Sequence, residues 1–166
     1  MPAFYYRLLF LVLCLLPLTL NAEAMASQPA PDFSVSRLNG DGQINLADMK
    51  GKVIYLDFWA TWCPPCRKSF PWMEEMHNRY KDDGLAIVAI SVDGKQELAE
   101  KFVNETKASF ITAIDSGKKT AKAYKLRAMP SSYLIDRNGN IISSHLGFRT
   151  SKTAAMEAEI KSALQQ

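Results

Sequence analysis

Val53-Ile54-Tyr55-Leu56-Asp57-Phe58-Trp59-Ala60-Thr61-Trp62-Cys63-Pro64-Pro65-Cys66 is an apolar run that leads straight into a C-x-x-C. From Val53 to Trp59 the residues are aliphatic, β-branched or aromatic, with Asp57 as the one charge, which suits a strand covered on both faces. The residues after the cysteines predict a helix through Pro71 to about Tyr80, closed by Gly84. A cysteine pair placed where a buried strand turns into a helix sits beside amides that lack helical partners and beside a partial positive charge. Thiolate is favoured there over thiol. Cys63, at the turn, is therefore the expected nucleophile. Cys66, one helical turn further in, is the expected resolver of the mixed disulfide. Pro65 suits a helix start, because its missing N–H would find no helical partner there.

Working outward, Leu85 to Val92 reads as a second buried strand and Phe110 to Ile114 as a short third one. Lys95 to Glu105 has amphipathic helical spacing through Leu98, Phe102 and Val103, and Lys118 to Tyr124 predicts a shorter helix. Phe33 to Leu38 and Gln43 to Leu46 are strand-like around Asn39-Gly40-Asp41-Gly42. Tyr133 to Ile135 and Ile141 to Leu146 flank Asp136-Arg137-Asn138-Gly139 in the same way. Thr150 to Leu164 predicts a final helix, with Thr150 or Ser151 as its cap. The order implies an α/β fold: a mixed central sheet flanked by helices, with an N-terminal β-hairpin extension and an added βα segment.

The chain has 166 residues, enough for one domain. A net charge of +3 with no Lys/Arg stripe argues against a nucleic-acid surface. Arg7, the apolar run Leu8 to Leu20 and the A-x-A-like sites behind it predict a secretory signal over residues 1–24, cleaved after Ala24 or Ala26. The folded domain is then expected over residues 31–166, after a short polar leader from Ser27 to Pro31. An uncleaved membrane anchor is the alternative, although the run is short for a bilayer span. Cys14 lies inside the run behind Leu13, which rejects lipidation. Cleavage leaves Cys63 and Cys66 as the only cysteines, too few and too close to staple a core. A zinc site fails for want of ligands: His77 and His145 are the only imidazoles, neither at zinc spacing, and His77 is expected on the surface. Asn39 to Ile44 imitates part of a calcium loop, but Arg37 stands where the first ligand is needed.

Asp57 to Cys66 resembles the active-site segment of the thioredoxin superfamily, and Ala128-Met129-Pro130-Ser131-Ser132-Tyr133-Leu134-Ile135-Asp136 resembles its cis-proline loop and following strand. The signal, Lys50-Gly51-Lys52 and the added segment from about Asp93 to Ser109 are similar to the TlpA-like branch. The resemblance implies a thioredoxin fold and an exported thiol–disulfide oxidoreductase with no cofactor beyond the Cys63–Cys66 disulfide. It also implies that Asp57 is a buried proton relay for Cys66, and that Trp62, Met129 and cis-Pro130 form the substrate-docking surface. Pro64 and Pro65 tune the potential. Several members of the branch that serve cytochrome c maturation carry glutamate three residues after the second cysteine. Here Ser69 stands at that position, which favours a broader reductase. Its partners would be disulfide-containing exported proteins and a membrane electron donor of the DsbD type, with the protein a monomer in the periplasm or otherwise outside the cytoplasm. A disulfide-donating oxidase is the nearest alternative. A thiol peroxidase would need a P-x-x-x-T-x-x-C frame, and a copper metallochaperone of this fold favours C-x-x-x-C.

Overall fold

The computed structural model describes residues 28–166; the expected signal segment and Cys14 lie outside the described residues. Eight strands form one mixed sheet: β1 (Gln28–Pro29), β2 (Ser34–Arg37), β3 (Gln43–Asn45), β4 (Val53–Trp59), β5 (Leu85–Ser91), β6 (Ile111–Ile114), β7 (Ser131–Ile135) and β8 (Asn140–Leu146). Four α-helices accompany them: α1 (Pro64–Tyr80), α2 (Gln96–Thr106), α3 (Lys119–Ala123) and α4 (Thr153–Leu164). The sheet order is β1-β8-β7-β4-β5-β6-β2-β3. β4, β5 and β6 run parallel through the crossover helices α1 and α2, while β7 lies antiparallel on the other side of β4.

Every residue of β4 and β5 is buried, as their unbroken apolar runs demand. Along β4, Tyr55, Asp57 and Trp59 share one face by the two-residue period. Tyr55 meets Trp72 of α1 edge-on at 5.3 Å, and Trp59 meets Phe70 of α1 at 4.8 Å and Phe102 of α2 at 5.0 Å. On the opposite face Phe58 packs with Tyr124 and Tyr133. Residues 39–42 form the expected hairpin turn, with Val35 opposite Ile44 and positive φ at Gly40 and Gly42.

Three expectations need correction. Gln28–Pro29, read as leader, pairs with Ile141 and Asn140 as an edge strand. Leu46 leaves its strand for a 3-10 turn over Leu46–Met49. Thr150 and Ser151 do not cap α4: they lie in a 3-10 turn, Thr150–Lys152, and α4 begins at Thr153 without a side-chain cap. Turn-like backbone there denies Thr150 the extended geometry that a capping residue adopts. The short helix near Lys118 is held at its start by Asp115, whose carboxylate accepts from the amides of Lys119 (3.0 Å) and Ala121 (2.8 Å).

Candidate active site

Cys63 is the N-cap of α1, with extended backbone, and Cys66 closes the first turn. The two are disulfide-bonded, with Cα atoms 5.3 Å apart. Pro64 and Pro65 occupy the first two helical positions, where amides have no helical partner in any case. The Cys66 amide is therefore the first N–H that this helix offers, and it donates to Cys63 Sγ at 3.3 Å. Only 3% of Cys63 is exposed in this oxidised form, against none of Cys66. Beside them the Trp62 ring stands out into solvent, 67% exposed.

The cis-proline loop reaches this place through strand register. Ser131 lies opposite Phe58 in β4 and opposite Leu146 in β8, so the residues just before Ser131 emerge beside those just after Trp59. The Met129–Pro130 bond is cis. Pro130 is buried, Met129 is half-buried, and the Pro130 carbonyl accepts from Gly147 N–H at 2.8 Å. The loop is thus tied to the end of β8, where Leu146 is 63% exposed.

Asp57 lies on the face of β4 that α1 covers, flanked in the sheet by Ala89 and Ser132 rather than by a cation. Burial alone holds its carboxyl well above the usual carboxylate range. Its Oδ2 is buried without a hydrogen-bond partner, a situation that penalises an ionised carboxylate most. Two residues along the same face, the Tyr55 hydroxyl donates to Ser132 Oγ at 2.9 Å. Burial, and then the Asp57 charge, push the Tyr55 phenol well up. Ser69, three residues past Cys66, is buried and donates to the Cys66 carbonyl at 2.8 Å, so no acid approaches from that position.

Sequence reasoning missed a second buried carboxylate. Asp93 follows β5 and accepts from Thr61 N–H (3.0 Å), Thr61 hydroxyl (2.8 Å) and Ser91 hydroxyl (2.8 Å). It anchors the loop that delivers Trp62 and Cys63. The signal available was a Ser-x-Asp at the end of a wholly apolar strand, where polar residues need a structural reason.

Of the two histidines, His77 is not a plain surface residue. It is half-buried edge-on to Phe110, and burial lowers its pKa. His145 pairs through Nε2 with Glu159 at 2.9 Å, a carboxylate that also accepts from Ser143.

Residues 26–144 match the AhpC/TSA family. The thiol-disulfide oxidoreductase ResA of Bacillus anthracis is 40% identical over 73% of this chain and 69% of its own. The ResA of Bacillus subtilis strain 168 is 30% identical over 86% and 83%. Among solved structures, a Chlorobium tepidum protein assigned as the thiol:disulfide interchange protein DsbE superposes with a TM-score of 0.80 at 43% identity, covering 83% of this chain and 96% of that one. A helix-capping dithiol on a thioredoxin fold, in a sequence this close to such relatives, makes the chain a member of the AhpC/TSA family and a thiol–disulfide oxidoreductase.

Proposed function

We propose that the protein works as a reductase of disulfides in extracytoplasmic proteins. The observation that carries the direction is the start of α1. With proline at both of its first positions, a Cys63 thiolate meets one helix amide, that of Cys66, where another sequence would present more. A thiolate given little stabilisation makes the reduced form give up its electrons readily, which favours a reductant over an oxidant. Cys63 attacks the substrate disulfide, and Cys66 then displaces the reduced substrate. The Asp57 carboxylate, made a stronger base by its apolar setting, accepts the proton that Cys66 loses as it attacks, and gives it up afterwards. Trp62, Met129 and Pro130 hold the substrate chain against Cys63. Re-reduction outside the cytosol needs electrons from across the membrane, from a donor of the DsbD type. The signal-like residues 1–24 support the location.

The test is the equilibrium reduction potential in glutathione or dithiothreitol buffers. A value at or below about −200 to −230 mV, the glutaredoxin range, supports the reductase. A value approaching about −120 mV overturns it and makes the protein a disulfide donor.

A further inference from the structure

Three of the segments that reach the end of the sheet carrying Cys63 contain no aspartate or glutamate. They are residues 60–73, residues 116–135 and residues 137–156. Cations are spread over all three. Arg67 and Lys68 follow Cys66 in the first turns of α1. Arg127 stands three residues before cis-Pro130. Arg149 and Lys152 line one cavity with Leu146 and Gly147, and Gly147 is the residue hydrogen-bonded to the Pro130 carbonyl.

All five side chains are exposed. None of the five has an ion pair among the described residues, and the Arg67 guanidinium lies over the Phe102 ring, 4.8 Å from its centroid. Three acids close to this end are engaged, among them Asp115, which accepts from the amides of Lys119 and Ala121. Asp93 is buried under Thr61 and Ser91, and Glu159, in the Arg149 cavity, is held by His145 and Ser143. The same segments carry two exposed apolar side chains, Trp62 and Leu146.

We propose that this rim is a specificity surface: it selects protein disulfides whose flanking residues are acidic. The proposal rests on the reductase reading for its direction only. The chemical step is unchanged. A Cys63 thiolate attacks one substrate sulfur, and the other leaves as a thiolate and is protonated. Cys66 then closes onto Cys63 and releases the second sulfur, so that two electrons pass from the protein dithiol to the substrate. The rim acts before that step, by steering an acidic segment toward Trp62 and the cis-proline loop.

Three synthetic peptides with the same intramolecular disulfide, flanked by aspartates, lysines or serines, test this with the reduced protein. The aspartate peptide is expected to exceed the lysine peptide about tenfold in kcat/KM at low ionic strength. The preference should fade as the Debye length shrinks from about 30 Å at 0.01 M salt to about 3 Å at 1 M. Combining Arg127→Gln, Arg149→Gln and Lys152→Gln should reduce the preference several-fold and leave the serine peptide's kcat/KM as it was. Equal rates for the three peptides, or a preference that survives both salt and the substitutions, would overturn the proposal. So would cosedimentation with anionic phospholipid vesicles without any peptide preference, which would give the rim to a membrane surface. The ratio is also read in reverse, with oxidised protein and the dithiol forms of the peptides. If only that direction runs, the reductase reading falls, and the charge ratio still decides the specificity.

Discussion

Thr61 gives its backbone N–H and its hydroxyl to the two carboxylate oxygens of Asp93, at 3.0 and 2.8 Å. The pair spans the sequence between the loop before Cys63 and the end of β5, and Ser91 completes it with a third donor at 2.8 Å. The neighbouring backbone is tied in the same direction, Val92 N–H to the Trp59 carbonyl at 2.9 Å. Hydrogen bonds to a buried carboxylate are stronger than neutral ones, so this clamp fixes the loop that leads to Cys63.

Asp93→Ala is therefore expected to act on both stability and catalysis. Leaving the Thr61 and Ser91 donors without their acceptor should cost about 1–3 kcal/mol, read as a lower urea midpoint at unchanged slope. A loosened Cys63 loop should lower kcat/KM about tenfold, since turnover is sensitive to displacements of about 1 Å at the reacting atoms. A stable variant with full activity would show that the clamp does nothing for the site.

The parts of the fold written in long apolar runs were legible. Val53 to Trp59 and Leu85 to Ser91 are short, β-branched and aromatic or aliphatic runs of the kind a doubly covered strand takes, and the C-x-x-C marked the helix start behind the first. What stayed hidden depends on distant partners. Gln28–Pro29 carries no strand signal and is a strand only because the edge of β8 was open to it. Asp93 and Asp115 look like ordinary loop acids in the sequence, and their work is visible only once Thr61 and the start of α3 are brought to them. The five rim cations were individually unremarkable, because strand register, not sequence proximity, gathers their segments at one end.

Burial raises the Asp57 carboxyl in the native state, so the folded protein holds that proton in a pH window where the unfolded chain has released it. Native stability from this group is complete below the ordinary carboxylate range and is lost as pH rises through the raised native value. Asp57→Asn removes the titration. The variant should lose this downward drift and become the more stable protein at the upper end of the window. It should also slow release of the mixed disulfide near neutral pH. An unchanged pH–rate profile would remove Asp57 from the mechanism.

The two cysteines should separate cleanly. Cys63→Ala abolishes insulin reduction, because Cys66 is fully buried and cannot reach a substrate first. Cys66→Ala leaves the attack intact and should accumulate a mixed disulfide with substrate, visible as an adduct mass that dithiothreitol removes. Turnover by the Cys63→Ala protein at a normal rate would reverse the assignment.

The direction of the reaction is tested most sharply at Pro65. In the first turn of α1 the Cys66 amide is the one N–H seen to reach Cys63 Sγ. Pro65→Ala returns an amide to the second helical position without touching either cysteine or adding a charge, and alanine is at least as content in a helix. That extra N–H points out of the helix end, where a Cys63 thiolate would sit. It stabilises the reduced form and leaves the disulfide form, whose sulfur is a weak acceptor, nearly unaffected. The reduction potential should therefore rise, and each 1.4 kcal/mol gained by the thiolate corresponds to about 30 mV. Insulin reduction should slow in step, while the variant becomes a better disulfide donor toward a dithiol peptide. A potential that stays put or falls would mean that the helix amides do not set the redox balance and that the two prolines do not make the protein a reductant.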